Sequence, residues 1–581
     1  MKIHKDARPR FITFLSSIFG PALIIQIAPA IGLLITALVS IFYFFVQDDR
    51  YPIESPLIPL LFASLSFLLA GIGFLIQKVY PPRESISLRR GAWIVFWAWV
   101  IACTVSSLYF YASNFPIPSR VEEFSFLRQF IDGFYETMSG YTTTGASILP
   151  SVEVFPRSIL FWRTLLHWIG GMGIAFLAVT VVKKFSSSRQ AVINSESEAH
   201  EIVYFSSQEE ARGSGWSFLR AYALISGIML VLLLLSGSFF RVTPYTHWYD
   251  NAFDAVTHTF STIGTGGFGT YDLSAGLPSA VTETGAVVIG GLQNKVSEWI
   301  IAFFMVFAGV NFSLWYILFF RKDKKFFWSS IEHRVYWLYV LLCTAGIAYF
   351  LWKNQTYQTI EEILRYAFFN VASVVSTTGL ANWDFISWPQ AAIGVLFVCY
   401  LVGGMVGSTS GGPKVIRYII SYHHIRRQLS RLIYGINQDS FTIDRIKYGD
   451  RSSGLVMTTL AIYFLIFTAG TILLLIFANN STLPDGTHVP LNFGTAIAAS
   501  IAHLGNIGPG IFYGSSFNIG PTGNYFAFNE AGKVILIALM YIGRVGILAV
   551  IMLFLKTKGE KIFSESVSTV QYDKSQPVLK Q

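Results

Sequence analysis

Four short phrases rich in glycine, threonine and serine recur along the chain. They are SGYTTTGAS at 139–147, STIGTGGFG at 261–269, SVVSTTGLA at 373–381 and AHLGNIGPG at 502–510. Aligned on one glycine, the phrases place Gly145, Gly267, Gly379 and Gly508 at intervals of 122, 112 and 129 residues. Self-similarity of this kind indicates an internal repeat.

The chemistry open to these phrases lies in their backbone. Small residues let backbone carbonyls turn toward a common axis, and carbonyl oxygens from four sides can replace the hydration shell of a cation. A short helix precedes each phrase, and the partial negative charge at its C-terminal end attracts cations and repels anions. The four phrases together predict a cation-selective ring.

The glycine-rich stretches fit helix packing or nucleotide binding less well. A glycine turn or a helix-packing motif would account for one Thr-Gly phrase, but not for four at the same place in a repeated pattern. GTGGFG at 264–269 lacks the strand–helix unit of a dinucleotide site. GSTSGGPK at 407–414 has Pro413 where a phosphate loop has its glycine–lysine pair. We therefore predict that the protein is not an enzyme.

The elements that position the phrases are membrane spans. The chain has 581 residues, of which 53% are hydrophobic and only 13% are charged, whereas a soluble protein of this size needs about 25% charged residues. Ten apolar stretches are long enough to cross a bilayer, which takes about 20 helical residues. Nine are free of charge and the tenth contains only Arg544; they are 11–47, 55–77, 91–119, 164–182, 221–240, 299–320, 335–352, 385–413, 452–484 and 534–555.

The short helices before the phrases are too weakly hydrophobic to cross. Each must dip into the membrane and return, which is tolerable only where the irregular backbone is buried or lines a water-filled path. The fold class predicted is an all-α polytopic membrane protein. It has four repeats of span, pore helix, filter loop and span around a pseudo-fourfold pore, preceded by two N-terminal helices.

The distribution of basic residues predicts the orientation. With the N-terminus in the cytoplasm, the cytoplasmic segments hold 31 of the 42 Lys and Arg residues, so the positive-inside rule places both termini there. The same asymmetry, facing anionic lipid, accounts for the net charge of +9 without a nucleic-acid partner. Cys103, Cys343 and Cys399 lie far apart in apolar spans, which favours neither a disulfide framework nor a zinc site.

Longer motifs give the chain a family resemblance. DGFYETMSGYTTTGAS (132–147), FWRTLLHWIGGMGI (161–174), STIGTGGFGTYD (261–272), GGMVGSTSGGPKVIR (403–417) and YIGRVGI (541–547) resemble the TrkH/TrkG, KtrB and HKT superfamily of potassium transporters. The two helices before the repeats are typical of the TrkH/TrkG branch of this Trk/Ktr/HKT group.

The resemblance implies roles for particular residues. The aligned glycines match the filter glycines that mark a preference for K+ as the transported ion. The flanking residues would supply further filter carbonyls, so that the implied potassium-binding set is Thr143, Thr144, Gly145, Thr265, Gly266, Gly267, Thr377, Thr378, Gly379, Asn506, Ile507 and Gly508. The implied gate is an intramembrane loop containing Gly403, Gly404, Gly407, Gly411 and Gly412, held closed by Arg544. Glycine disfavours continuous helix in that loop, and an arginine inside an apolar span requires polar partners.

The resemblance also implies an assembly and a location. The expected protein is a homodimer in the lipid bilayer of the bacterial inner membrane, with one pore per chain. A cytoplasmic regulatory ring resembling TrkA is expected beneath it, and a nucleotide is expected only on that partner.

A secondary ion-coupled transporter with broken helices, acting as a symporter, is the alternative function. Two related halves are typical of such transporters, whereas this chain has four repeats.

The predicted domains follow the repeats. Residues 1–90 form the N-terminal pair, 91–184, 213–321, 334–421 and 452–556 form pore repeats one to four, and 557–581 form a cytoplasmic tail. The stretch 274–295 has no assigned role.

Overall fold

The structure is a computed structural model. It describes residues 12, 14–46, 52–81, 88–113, 126–173, 208–240, 248–272, 294–321, 324–435, 440–444, 446–479, 481–482, 488–512, 517–554 and 571–572. All but the last two residues of the unassigned stretch 274–295, and all of the predicted tail 557–581 except 571–572, lie outside these residues.

Among the described residues, six helices are long and apolar enough to cross a membrane. Two of them precede the repeats. The first of this pair is built from a π-helical turn at Leu15–Phe19 and helices Gly20–Ile24 and Ile27–Val46, and the second is Leu57–Val79. The other four open the repeats, and we call them first helices one to four: Leu88–Ala112, Gln208–Phe239, Ile331–Lys353 and Asp450–Phe477.

A shorter, largely buried helix follows each first helix. These pore helices one to four are Phe126–Tyr141, Trp248–Ile263, Ile360–Val375 and Phe493–Leu504. Each is followed by one of the four glycine phrases, where the chain leaves helical geometry, and then by a second helix that completes the repeat. The predicted all-α architecture of four repeats is confirmed.

The second helices differ from the expected full spans, because each one described is interrupted or short. Second helix one, Arg157–Gly171, ends near Gly173, which has a φ of 75°. Second helix two bends by 103° between Lys295–Ala308 and Phe312–Arg321, and second helix four bends by 106° between Glu530–Val545 and Ile547–Phe554. Second helix three is only Gln390–Tyr400. The charge-free stretch 385–413 therefore is not one continuous span, because its residues from 402 to 413 form a loop.

The remaining elements are connections between the helices of the repeats and small hairpins. Helix Val415–Tyr434 follows the loop after second helix three, and helix Lys324–Ser329 and the 3-10 turn Phe385–Ser387 are short connections. Strands Ser440–Ile443 and Ile446–Gly449 form an antiparallel hairpin that pairs with Gln571–Tyr572. Strands Ser481–Thr482 and His488–Val489 form a second small hairpin.

The N-terminal pair is anchored to repeat one by a buried carboxylate. Glu54 accepts hydrogen bonds from the Ser158 backbone N–H (2.9 Å), the Ser158 hydroxyl (2.5 Å) and the Ser40 hydroxyl (2.9 Å). Because Ser158 lies in the first turn of second helix one, the carboxylate satisfies helix N–H groups that have no intrahelical partner. The pair is thus fixed to the outside of the pore repeats.

Buried charges join the repeats to one another. Lys533 of second helix four contacts Asp132 of pore helix one at 2.5 Å, and Arg365 of pore helix three contacts Glu298 of second helix two. All four side chains are at most 2% exposed.

Repeats one and two are joined by a contact between a cation and an aromatic ring. The Arg157 guanidinium of second helix one lies over the Phe253 ring of pore helix two, 4.8 Å from its centroid. Second helix three and pore helix four carry no Asp, Glu, Lys or Arg. Among the described residues, buried ion pairs therefore join repeat four to repeat one and repeat two to repeat three.

Replacing Lys533 with Met should destabilise the protein, because it leaves Asp132 buried without its partner. Removal of one member of a buried pair typically costs about 3–5 kcal/mol. The apparent melting temperature in detergent measures this loss. Lys295→Met is the matched control, since Lys295 and its partner Glu361 are 58% and 43% exposed and such pairs contribute about 0–1 kcal/mol. Equal melting temperatures for the two variants would contradict the prediction.

Candidate functional site

All four pore helices end in the same hydrogen-bonded cap. The backbone N–H of Thr144 donates to the Ser139 carbonyl at 2.9 Å, and that of Thr143 donates to the Gly140 carbonyl at 3.1 Å. The corresponding pairs in the other repeats are Gly266 to Ser261 and Thr265 to Thr262, Thr378 to Ser373 and Thr377 to Val374, and Ile507 to Ala502 and Asn506 to His503, all between 2.8 and 3.1 Å. This pair of bonds is the Schellman motif, which requires a left-handed residue just after the helix.

The left-handed residue of that motif is not glycine in any repeat. It is Thr143 (φ 52°), Thr265 (52°), Thr377 (57°) or Asn506 (52°). Asn tolerates this conformation, whereas for a β-branched threonine it is a strained outlier. Strain of this kind persists only where the surrounding structure imposes it, and it is concentrated at functional sites.

The aligned glycines have positive φ as well. Their values are 75° at Gly145, 88° at Gly267, 78° at Gly379 and 98° at Gly508. Because the residue two positions earlier is also left-handed, φ changes sign at alternate positions through each phrase. An ordinary strand has no such alternation, because its residues all have negative φ.

The four phrases contact one another in a closed cycle. A Cβ added to Gly145 would overlap the carbonyl oxygen of Gly266, and one added to Gly267 would overlap that of Thr378. In the same way Gly379 faces the Ile507 carbonyl and Gly508 faces the Thr144 carbonyl. The cycle runs in sequence order and returns to repeat one, so the predicted ring of four loops around one axis is confirmed.

A buried ion pair supports the first loop from behind. The Glu136 carboxylate accepts from the Arg163 guanidinium (2.8 Å), the Ser147 hydroxyl (3.0 Å) and the Ile148 backbone N–H (3.0 Å). Arg163 also lies over the Phe268 ring, 4.1 Å from its centroid. These contacts fix the chain where it leaves the first phrase.

The fourth loop uses neutral groups for the same purpose. The Tyr525 hydroxyl donates to the Gly508 carbonyl at 2.8 Å. The Asn506 amide donates to the Thr144 hydroxyl at 3.0 Å and to the Met540 carbonyl at 2.9 Å. Asn506 therefore ties the last repeat to the first.

A non-helical loop lies directly against one end of the ring. Residues 402–414 contain no helix, as predicted from their glycines. The Gly411 N–H donates to the Thr377 hydroxyl at 2.7 Å, and a Cβ on Gly411 would overlap Asn506. The loop thus contacts the left-handed residues of two of the four glycine phrases.

The interruptions of the other three second helices meet at this loop. From repeat two, the Gly309 carbonyl accepts from the Met405 N–H and the Phe312 N–H donates to the Gly407 carbonyl, both at 2.9 Å. From repeat four, Arg544 donates to the Thr409 carbonyl and, at 2.7 Å, to the Gly170 carbonyl of repeat one. Arg544 therefore bridges the loop and an interrupted helix through free backbone carbonyls.

Some residues of this site were not predicted from the sequence. Glu136, Arg163 and His167 all lie within 30 residues of Gly145, and Glu332, which accepts from the Val406 and Ile416 N–H groups of the loop region, opens a first helix. The sequence marks them in the same way as Arg544, by a charged side chain or an imidazole among apolar residues. The signal of Glu136 is the hardest to recognise, because its short pore helix is too polar to resemble a membrane segment.

The site offers backbone oxygens rather than side-chain metal ligands. Among the described residues, no group of three or more His, Cys, Asp or Glu side chains could hold a metal ion. The cysteines are free thiols. A ligand of this ring would be a cation suited to carbonyl oxygens.

Comparison with known proteins agrees with this architecture. The family model of TrkH, described as a cation transport protein, matches residues 117–565. The Trk system potassium uptake protein TrkH of Escherichia coli K12 is 27% identical over 503 residues, which are 85% of this chain and 91% of that protein. TrkG of the same strain, also named a Trk system potassium uptake protein, is 28% identical over 426 residues, 73% of this chain and 78% of that protein.

The fold has a solved counterpart. The crystal structure of the potassium transporter TrkH from Vibrio parahaemolyticus aligns with a TM-score of 0.71 and 23% identity, over 94% of this chain and 99% of that one. The family model covers well over half of the chain. The protein therefore belongs to the TrkH family of cation transport proteins.

Proposed function

We propose that the protein takes up potassium across the bacterial inner membrane. The observation that carries this proposal is the closed ring of four glycine phrases, in which a backbone carbonyl of each phrase lies against the aligned glycine of a neighbouring phrase, in a chain whose relatives are named potassium uptake proteins. Carbonyl oxygens on four sides can replace the water that a K+ ion loses on entry. The chain's role is conduction through a selective pore, without covalent chemistry.

The selectivity filter in this proposal consists of three residues from each phrase. They are the twelve that the family resemblance implied, from Thr143–Gly145, Thr265–Gly267, Thr377–Gly379 and Asn506–Gly508. Two observations support the assignment: the strained left-handed threonines and the glycines whose Cβ positions are already occupied by neighbouring carbonyls. The fourth segment differs in side chain but has the same backbone conformation.

Filter selectivity should depend on Gly379. Gly379 has a φ of 78°, and the Ile507 carbonyl lies where a side chain would begin. The side chain of Gly379→Ser must therefore displace the backbone of the neighbouring filter segment. A strain of about 1–2 kcal/mol per left-handed residue corresponds to a roughly tenfold fall in K+ over Na+ discrimination, measured as relative uptake in proteoliposomes.

The control for this prediction is Gly435→Ser. Gly435 has a similar φ of 66° but nothing lies within 4 Å of its added Cβ, and it caps a helix away from the ring. Wild-type selectivity in Gly379→Ser would contradict the filter assignment, as would an equal loss in the control.

The gate in this proposal is the loop at 403–412, with Arg544 as its latch. The loop fills the space below the filter and Arg544 fixes it to repeat one through the Thr409 and Gly170 carbonyls. Loss of these bonds frees the loop to move. A regulator would act by shifting this loop between closed and open positions.

Arg544→Ala should raise potassium flux in the absence of any regulator, and deletion of several loop residues should raise it further. Arg544→Lys keeps one charged donor and should give an intermediate flux. Flux into proteoliposomes, normalised to protein inserted, measures this. Equal or lower flux in both Arg544→Ala and the deletion would locate the gate elsewhere.

The assembly belongs to the same proposal. We infer a homodimer with both termini in the cytoplasm and a separate TrkA-like ring on the basic cytoplasmic face at 414–451. The name of the Trk system supports association with other subunits, and the 31 cytoplasmic basic residues support the orientation. The nucleotide is assigned to the partner ring alone.

Native mass spectrometry in mild detergent should show dimers of the chain, and a cytosolic nucleotide-binding subunit should co-purify with it. Radiolabelled ATP or NADH should bind the complex but not the purified chain. Monomers alone would refute the dimer, and nucleotide binding by the isolated chain would refute the assignment to the partner.

A further inference from the structure

We propose that His167 is a positioning residue of the filter, acting as a neutral imidazole that joins pore helix one to the second filter segment. The inference deepens the proposed function and depends on it, since it concerns the residues that hold the filter in shape. His167 lies four residues before the end of second helix one and its side chain is fully buried.

Both ring nitrogens of His167 contact backbone. Its Nδ1 lies 2.9 Å from the carbonyl oxygen of Gly140, at the end of pore helix one. The backbone N–H of Phe268, the residue after filter glycine Gly267, donates to Nε2 at 3.1 Å. One imidazole therefore connects the end of pore helix one to the residue that follows the filter segment of repeat two.

These partners determine the protonation state. A carbonyl oxygen can only accept, so Nδ1 must carry the proton, and a backbone N–H can only donate, so Nε2 must have a free lone pair. An imidazolium carries protons on both nitrogens and would repel the Phe268 N–H. The geometry thus allows one form of the ring, the neutral tautomer with its proton on Nδ1.

The imidazole has no room to move. A Cβ on Gly266 would overlap the His167 ring, and one on Gly264 would overlap the His167 carbonyl. The ring also packs on Phe268 with centroids 4.3 Å apart, and Arg163 covers the same phenyl ring. A shift of His167 would therefore be transmitted to Gly266 and Gly267 of the filter.

A comparable contact occurs between repeats three and four with the opposite polarity. The Tyr400 hydroxyl, on second helix three, donates to the carbonyl of Pro509 at 2.8 Å. Pro509 is the residue after filter glycine Gly508, as Phe268 is after Gly267. Proline has no backbone N–H, so its contact is made through its carbonyl and the side chain that bonds it, Tyr400, is a donor. His167, in contrast, accepts from the Phe268 N–H. In both cases a side chain on the second helix of one repeat bonds the residue that follows the filter glycine of the next repeat.

The test compares three variants in proteoliposomes loaded for K+ and Na+ flux. His167→Phe keeps the flat ring but removes both nitrogens, and we expect K+ over Na+ discrimination to fall roughly tenfold, as when a buried backbone donor and acceptor lose their partners. His167→Gln offers an amide N–H and an amide oxygen at a similar spacing, and it should restore most of the selectivity. Trp168→Phe is the control, because Trp168 is in the same helical turn but donates to Ser226 of first helix two.

The outcomes separate this inference from the proposed function. Wild-type protein without K+ selectivity would refute the function itself. A selective wild type with an equally selective His167→Phe would refute only the role of His167. Loss of selectivity in Trp168→Phe as well, or no recovery in His167→Gln, would also refute the role of His167. Selectivity would then depend on the packing of second helix one and not on the two hydrogen bonds of the imidazole.

A second measurement does not depend on the variants' activity. In protein labelled with ¹⁵N-histidine, the resonances absent from His167→Gln belong to His167. We expect the neutral form protonated at Nδ1 at every pH from 5 to 8. An imidazolium, or the tautomer protonated at Nε2, would overturn the proposal.

Discussion

Backbone polar groups in a membrane interior must find partners within the protein, and this requirement shapes every part of the pore. Lipid offers no hydrogen bonds, so each place where a helix stops leaves N–H and carbonyl groups that the fold must satisfy. The pore helices meet the requirement with Schellman caps. The interrupted second helices satisfy their free backbone groups through hydrogen bonds to the loop at 403–412 and to Arg544. The carbonyls left over in the filter phrases are those that a dehydrated cation can use.

Much of this architecture was predictable because it repeats. A single glycine phrase carries little information, but four in register indicate a ring, and one arginine in an apolar span indicates partners with free carbonyls. The left-handed threonines were not predictable, since threonine disfavours that conformation in isolation. They follow from the cap geometry that the whole repeat imposes.

The breaks in the second helices were not predictable from the absence of charge, which defined the expected spans. Second helix three and the loop at 402–413 are equally free of Asp, Glu, Lys and Arg. A glycine-rich loop enclosed by protein is as free of charge as a spanning helix. The buried pairs Glu136–Arg163 and Asp132–Lys533 escape prediction for a related reason, because the short pore helices that carry the acids are too polar to register as membrane segments.

The contact between Lys533 and Asp132 has a consequence for biosynthesis. Its partners are separated by 401 residues, so the acid of pore helix one enters the membrane long before its partner is translated. Until repeat four is inserted, the nascent chain holds an open arc of three repeats in which Asp132 has no lysine partner. The ring can close only when the last second helix arrives, so a chain truncated before that helix lacks the contact that seals its pore.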